Sequence, residues 1–252
     1  MRDDLYEQLN EKEEHYWWHI GRRKLVLEML KKFFWAEKRE FPARTLDLGC
    51  GTGIMMQELK PYGKIWGLDS NAKALHYCRE KKAGDFLFKT DLEQKLPFKK
   101  DYFDIILCMD VLEHTKKEHF VLSEARRVLK RKGYLIIMVP SYQWFFSYWD
   151  KVAGHYRRYD SKSLKIILQQ TGFRTEKISY FNLFALLPAI IFRSIKSGQK
   201  LAIKDFSSDF VALPGWLNNF FLFLSRIERI LINFISLPAG LSLLVVARKE
   251  HD

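Results

Sequence analysis

The sequence predicts an α/β fold, a mostly parallel sheet with helices on both faces, and three observations carry that prediction. Short apolar runs alternate with amphipathic stretches from residue 43 to residue 181, the pattern of strand, crossover helix, strand. One run, FDIILCMD at 103–110, is almost continuously apolar, as a central strand covered on both faces must be. A glycine-dense turn, Gly49-x-Gly51-x-Gly53, follows the first run and opens a helix. Such turns lie at the carboxyl ends of parallel strands, where ligands bind.

The turn belongs to ARTLDLGCGTG at 43–53, in which Leu46 and Leu48 alternate with Thr45 and Asp47 as a buried strand does. Glycine has no Cβ, so a flat ligand can reach main-chain N–H groups there. Asp69, in GLDS at 67–70, ends the next strand about 20 residues on, where a carboxylate accepts the hydroxyls of an adenosine ribose. The spacing is not GxGxxG, because Ile54, Met55 and Met56 follow the third glycine. Asp47 also puts a negative charge at the turn, which disfavours a phosphate and suits an ammonium or sulfonium.

DLGCGTG with GLDS resembles the cofactor loop of class I S-adenosylmethionine-dependent methyltransferases of the small-molecule branch. The resemblance implies a Rossmann-like seven-stranded sheet and S-adenosyl-L-methionine as cofactor. It assigns cofactor contacts to Asp47, Gly49, Cys50, Gly51, Gly53, Asp69 and Ser70. It adds Asp91 and Leu92, in the TDL turn after the third strand, for adenine, and Met109 at the end of the fourth.

A chain of 252 residues with 48% hydrophobic content supports one large α/β domain with an appendage. Cys50, Cys78 and Cys108 form no CxxC, which suits a reducing cytoplasm. The polar, acidic N-terminus reads as no signal peptide, so a cytoplasmic location is expected. The net charge of +12 is compatible with nucleic acid, with anionic lipid, or with solubility alone.

Residues 5–37 read as helix, within an N-terminal cap over 1–39. Trp18 and Arg22 are i, i+4 and share a face, offering an aromatic wall and a cation for the cofactor carboxylate. His15 and His19 have a metal-competent spacing, but with no third ligand nearby no metal site is expected. The core, 40–181, then runs through strands at 64–69, 85–92, 103–110, 134–140 and 174–181. Its helices are IMMQELK at 54–60, then 71–82, 117–130 with RKG at 131–133 as its stop, and 161–173 ending at Gly172. The parent fold implies a seventh, antiparallel strand, for which LSLLVVARK at 241–249 is the candidate, within a last segment 241–252.

Two stretches carry candidate chemistry. DVLEH at 110–114 resembles a segment lying under the transferred methyl group, so His114 is a candidate base. GHYRRYD at 154–160 resembles a motif of methyltransferases of surface-polysaccharide and glycolipid pathways. His155, flanked by Tyr156 and Tyr159, is the better base candidate, and Arg157 or Arg158 suits an acceptor phosphate or carboxylate. The aromatic run before it, with Trp144, suits the wall of an acceptor pocket.

Residues 182–240 hold two apolar helical segments, FNLFALLPAIIFRSIK and WLNNFFLFLSRIERILINFISLP. Neither is long and uninterrupted enough to span a bilayer. They are expected as a lid that also touches an anionic membrane surface. The function expected is methyl transfer, by O-methylation, to a small-molecule, sugar- or lipid-type acceptor. The alternatives are a quinone or isoprenoid-ring methyltransferase, an RNA methyltransferase, and a non-catalytic cofactor-binding regulator. Lys and Arg are scattered rather than striped, which disfavours nucleic acid.

Overall fold

The computed structural model describes residues 3–37, 42–191 and 213–250. The strands are β1 (Ala43–Leu48), β2 (Gly63–Asp69), β3 (Phe86–Lys89), β4 (Phe103–Met109), β5 (Leu129–Pro140), β6 (Phe173–Phe181) and β7 (Ser242–Lys249). They form one sheet in the order β3-β2-β1-β4-β5-β7-β6, with β7 antiparallel to both its neighbours. The sheet is therefore the seven-stranded, mostly parallel Rossmann-like one expected. The order reverses between β1 and β4, so the crevice beyond their carboxyl ends is the natural ligand site.

Helices α5 (Glu118–Val128) and α7 (Ser161–Gln170) cover one face, burying Val121, Leu122, Ala125, Leu164 and Leu168 against Leu46, Ile106 and Ile137. The opposite face carries α2 (Trp17–Phe33), α3 (Ile54–Leu59) and α4 (Ala72–Glu80), whose Leu25, Met29, Met56 and Leu75 pack on Ile65, Leu107 and Ile136. Each fully buried side chain of this size contributes about 1.5–3 kcal/mol. The helix starts are chemically marked. Asn71 accepts from the N–H groups of Lys73 and Ala74 (2.7 and 3.2 Å), and Asp160 from that of Ser163 (2.8 Å).

Three expectations are corrected. The helix expected over 5–37 is two, α1 (Asp3–Lys12) and α2. The break arises because Arg23 donates to the Glu13 carbonyl while the Trp17 N–H goes to Asn218 Oδ1 (2.9 Å), which replaces the intrahelical bond between those groups. The helix expected over 117–130 stops at Val128, and β5 begins at once. Leu129 turns extended and pairs with Phe103 across a β-bulge, and its carbonyl accepts from Lys249 Nζ at 2.8 Å. Gly133 is thus no helix stop. It lies in β5, where a Cβ would sit 2.8 Å from the Leu129 side chain.

The second apolar segment of 182–240 forms α8 (Gly215–Phe234). The first is helical at 186–191, and its remainder lies outside the described residues. α8 lies along α2, joined by Arg229–Glu28 and by Trp17 packed on Phe221, with Phe184 of the segment after β6 against both rings. At their closest approach a Cβ on Gly21 would stand 2.3 Å from Ser225 Oγ and 3.4 Å from Ser225 Cβ. Gly21→Ala is therefore expected to cost about 1–3 kcal/mol through overpacking. Gly21→Ala with Ser225→Ala should return to the parent stability or exceed it, since the helical glycine is gone; urea titrations of the two variants check this.

Candidate active site

The glycine loop leaves β1 at Leu48. Gly49, Gly51 and Gly53 all take positive φ (+68°, +54° and +87°), a region closed to most side chains. Gly49 also has no room, because a Cβ would lie 2.6 Å from Val111 Cγ2. The segment after β4 thus packs directly on the loop. Cys50 and Cys78 sit beneath it, buried, their sulfurs 3.9 Å apart.

Asp69, at the end of β2, is buried. Its carboxylate accepts from the Gly51 N–H (3.0 Å), the Asn71 N–H (2.8 Å) and the Tyr6 hydroxyl (3.3 Å). Burial raises its pKa against those donors. Asp47 is more extreme. Burial and the neighbouring Asp69 push its carboxyl up to about 8, and among the described residues no donor reaches it. A buried carboxyl with no donor, beside three glycines and a ribose-competent acid, fits the ammonium or sulfonium end of a nucleoside cofactor.

The first helices clamp this loop. Glu13, buried, accepts from Thr52 Oγ1 (2.5 Å) and pairs with Lys81, while Leu9 stands over Gly51. Ser70 is exposed at the rim. Asp91 caps its own turn, accepting from the Glu93 N–H at 2.9 Å, and Leu92 packs against the core. The Thr90 N–H bonds the Asp69 carbonyl (3.0 Å), which brings that turn to the mouth of the site. Met109 is half-buried at the end of β4.

Trp18 and Arg22 share a face as expected, with the guanidinium 5.6 Å from the indole centroid. Arg22 is nevertheless committed within the protein. Its Nη2 donates to Asp110 Oδ1 at 2.6 Å, so the expected free cation for the cofactor carboxylate is an ion pair tying α2 to β4. Burial alone would raise the Asp110 pKa, but Arg22 holds it below the ordinary range.

The loop after β5 folds back through GHYRRYD onto DVLEH. Short helix α6 (Tyr148–Ala153) opens with a capping box in which Ser147 and Asp150 bond each other. Asp150 is buried and accepts from His155 Nδ1 (2.9 Å), Arg158 Nε (2.6 Å) and the Ser147 N–H (2.7 Å). Those donors hold its carboxyl below the usual range although burial opposes them. His155 is therefore fixed through Nδ1 and presents Nε2. His114 lies against it, ring centroids 4.6 Å apart, with Nδ1 3.3 Å from the Gly154 carbonyl. Burial, and then His155, lower the His114 pKa to about 4. Glu113 is fully buried, and among the described residues neither of its carboxylate oxygens has a hydrogen-bond partner.

The expected acceptor contacts divide. Arg158 is spent on Asp150 and lies over the Phe145 ring. Tyr159 is buried, with its hydroxyl on Glu118. Arg157 pairs with the same glutamate at 2.8 Å. These three hold the loop rather than offering themselves to a ligand. Tyr156 is 50% exposed beside the histidine pair, and Trp144 is 65% exposed, stacked on Tyr142. His19, of the His15/His19 pair, is half-buried, and burial and then Arg22 lower its pKa to about 3.

Sequence reasoning missed Tyr6, Glu13, Glu113, Glu118 and Asp150. Only Asp150 carries a local signal, the Ser147-x-x-Asp150 spacing of a capping box. The partners of Tyr6, Glu13 and Glu118 lie far along the chain, as Asp69 does from Tyr6.

A methyltransferase-domain family profile matches residues 46–137. A ubiquinone biosynthesis O-methyltransferase of Glaesserella parasuis is 33% identical over 106 residues, covering 38% of this chain and 45% of that protein. A demethylmenaquinone methyltransferase of Thermotoga maritima is 40% identical over 100 residues, covering 38% and 43%. The chain thus spans about half the length of these relatives. Across 90% of this chain and 94% of the other, the fold matches a solved S-adenosylmethionine-dependent methyltransferase of Archaeoglobus fulgidus at TM-score 0.58 and 22% identity. Residues 46–137 are thus similar to a methyltransferase domain, and the fold of the chain is that of solved S-adenosylmethionine-dependent methyltransferases.

Proposed function

We propose that this chain transfers the methyl group of S-adenosylmethionine to an oxygen of a small acceptor borne on, or dissolved in, a membrane. The observation that carries the reading is the donor-free Asp47 carboxyl beside Gly49, Gly51 and Asp69. The bound cofactor supplies an electrophilic methyl group. Asp47 offsets its positive charge, Asp69 takes the ribose, and the 90–92 turn receives the adenine. Holding donor and acceptor in line contributes about 7–11 kcal/mol. In the metal-free protein, His155 Nε2 accepts the acceptor's proton while Asp150 holds Nδ1, a contribution of about 10²–10⁴-fold.

The acceptor class rests on the exposed Trp144 and Tyr156 beside that histidine and on α8. Along α8, Trp216, Phe220, Phe223, Ile227, Ile230 and Phe234 are all at least 40% exposed and fall on one stripe. The helix's one acidic residue, Glu228, is buried against the Asn182 and Phe184 N–H groups, whereas Arg226 and, from α2, Lys31 and Lys32 are exposed. An apolar stripe rimmed by cations suits the surface of an anionic bilayer. No described helix is long and apolar enough to cross one. The protein is expected to sediment with anionic vesicles at low salt, and Phe223→Ser with Phe234→Ser to remain in the supernatant. Full recovery of the parent protein in the supernatant would count against this face.

A second reading, methylation of a quinone-ring precursor, is favoured by the activities for which the relatives are named and uses the same aromatic wall. Radiolabelled methyl transfer from S-adenosylmethionine into fractionated glycolipid, glycan, quinone and RNA pools tests both readings. Label in glycolipid or glycan supports the first and label in quinone the second, while cofactor binding with no transfer to any pool opposes both.

A further inference from the structure

Beside the methyl-transfer site the described residues bring together one cluster with the makings of a metal site: Glu113, His114 and His155. A ligand-capable atom from each lies within 4.8 Å of the others. Three further features distinguish it from a chance meeting of polar residues.

First, both imidazoles are turned the same way. His155 Nδ1 is held by Asp150 (2.9 Å) and His114 Nδ1 by the Gly154 carbonyl (3.3 Å), so each ring keeps Nε2 for something else. A ligating histidine almost always has its other nitrogen fixed in this way, by a carboxylate or a carbonyl. Second, Glu113 is fully buried and among the described residues neither carboxylate oxygen has a hydrogen-bond partner, an arrangement that costs free energy in a protein with nothing to bind. Third, the frame is rigid. The Tyr156 N–H bonds the Glu113 carbonyl (2.7 Å), which locks the two ligand-bearing segments together, and Asp150 is itself held by Ser147 and Arg158.

We infer that Glu113, His114 and His155 bind one divalent first-row transition-metal ion beside the transferred methyl group. The ligand set decides the class of ion. Two imidazoles and one carboxylate suit Zn²⁺, Fe²⁺ or Co²⁺, whereas Mg²⁺ and Ca²⁺ take oxygens. Ligands of one such ion stand roughly 3–3.5 Å apart, for bonds of about 2.0–2.2 Å, so the three groups close by about an ångström on binding. Three protein ligands leave a position open, and the partly exposed histidines place it toward the cleft rather than the core.

Resting on the proposed methyl transfer, the inference also narrows the acceptor. The open position takes a hydroxyl oxygen, and a neighbouring oxygen on the same molecule strengthens the hold, which favours a sugar or a vicinal diol over an isolated alcohol. The ion polarises that hydroxyl. The O–H bond breaks with the proton leaving to water, and the O–C bond forms as the sulfonium S–C bond breaks, giving the methyl ether and a neutral thioether. His155 then serves as ligand in place of base. The cluster's neighbourhood fits this role, since Val111, two residues before Glu113, is the residue that packs on Gly49 of the cofactor loop.

Cobalt titration of the full chain, stripped with a chelator, tests the site without turnover. The expected result is one Co²⁺ per chain with a visible spectrum of nitrogen and oxygen ligands, no thiolate band, and displacement by Zn²⁺. Glu113→Gln should weaken affinity at least about tenfold, and Asp150→Asn, which frees His155 Nδ1, by about 10–100-fold. In the unsubstituted protein, paramagnetic broadening should erase the imidazole NMR signals of His114 and His155 and spare those of His76 and His119, so no variant needs to fold for the test to be read. A featureless spectrum, a thiolate band from Cys50 and Cys78, or broadening centred on His76 overturns the inference. S-Adenosylhomocysteine binding, measured in parallel, separates the two proposals: a chain that binds cobalt but not S-adenosylhomocysteine sinks the methyl-transfer reading alone, and one that binds S-adenosylhomocysteine but not cobalt sinks the metal alone.

Discussion

Asp47→Asn lowers affinity for S-adenosylmethionine by at least about 30-fold, the result expected when one partner of a buried charge pair costing about 2–5 kcal/mol is removed. The same change stabilises the cofactor-free protein. The sign follows from the raised carboxyl. With a folded pKa of about 8 against an ordinary 3.8, the native state keeps a proton that the unfolded chain releases between those values. Stability of the cofactor-free protein therefore falls as pH rises from about 4 to about 8, by at most about 1.4 kcal/mol per pH unit from this group. Asn has no proton to lose, so that part of the slope disappears in the variant. Chemical denaturation at a series of pH values, with and without ligand, reads both halves. An unchanged slope, or unchanged ligand affinity, would show that Asp47 is not the cofactor's counter-charge.

Asp150→Ala removes the acceptor shared by His155, Arg158 and the first turn of α6, and the largest stability loss is expected there. Arg158 is left buried with no counter-charge, which costs about 3–5 kcal/mol, a fall in Tm of roughly 6–20 °C for a chain of this size. Methyl transfer should fall further than stability accounts for, because His155 loses the bond that orients it. Asp150→Asn separates the two effects. It retains the shape and can still accept one hydrogen bond, so much of the stability should return while the imidazole stays loosely held. Scanning calorimetry beside a transfer assay on folded protein distinguishes them, and equal recovery of stability and activity in Asp150→Asn would assign the carboxylate a purely structural part.

The parts of this molecule legible from sequence are those whose causes are local. The β1 strand, the glycine loop and Asp69 are written in residues that are near neighbours or separated by one helix, and the structure assembles them as expected. β7 was legible only with the resembled fold in hand, which implies a seventh strand, and the apolar LSLLVVARK at 241–249 supplies it. The break between α1 and α2 was not, since it depends on Asn218 and Arg23 replacing one helical hydrogen bond. The early start of β5 likewise depends on Lys249 catching the Leu129 carbonyl. Around the candidate site, the HYRRY segment announced its own importance, yet it gave no sign that Arg158 and Tyr159 would be consumed by Asp150 and Glu118. Arg22 misled for the same reason. Its spacing from Trp18 was visible, but its partner Asp110 is brought up by a strand on the far side of the glycine loop.

Neighbouring residues on α2 face two different loads. Gly21 bears on Ser225 of α8, and Arg22 on Asp110 at the reaction centre. Under the function proposed above, these adjacent contacts would link lipid engagement at α8 to methyl transfer, and a protein seated on a bilayer should then turn over at a different rate from the same protein in lipid-free buffer.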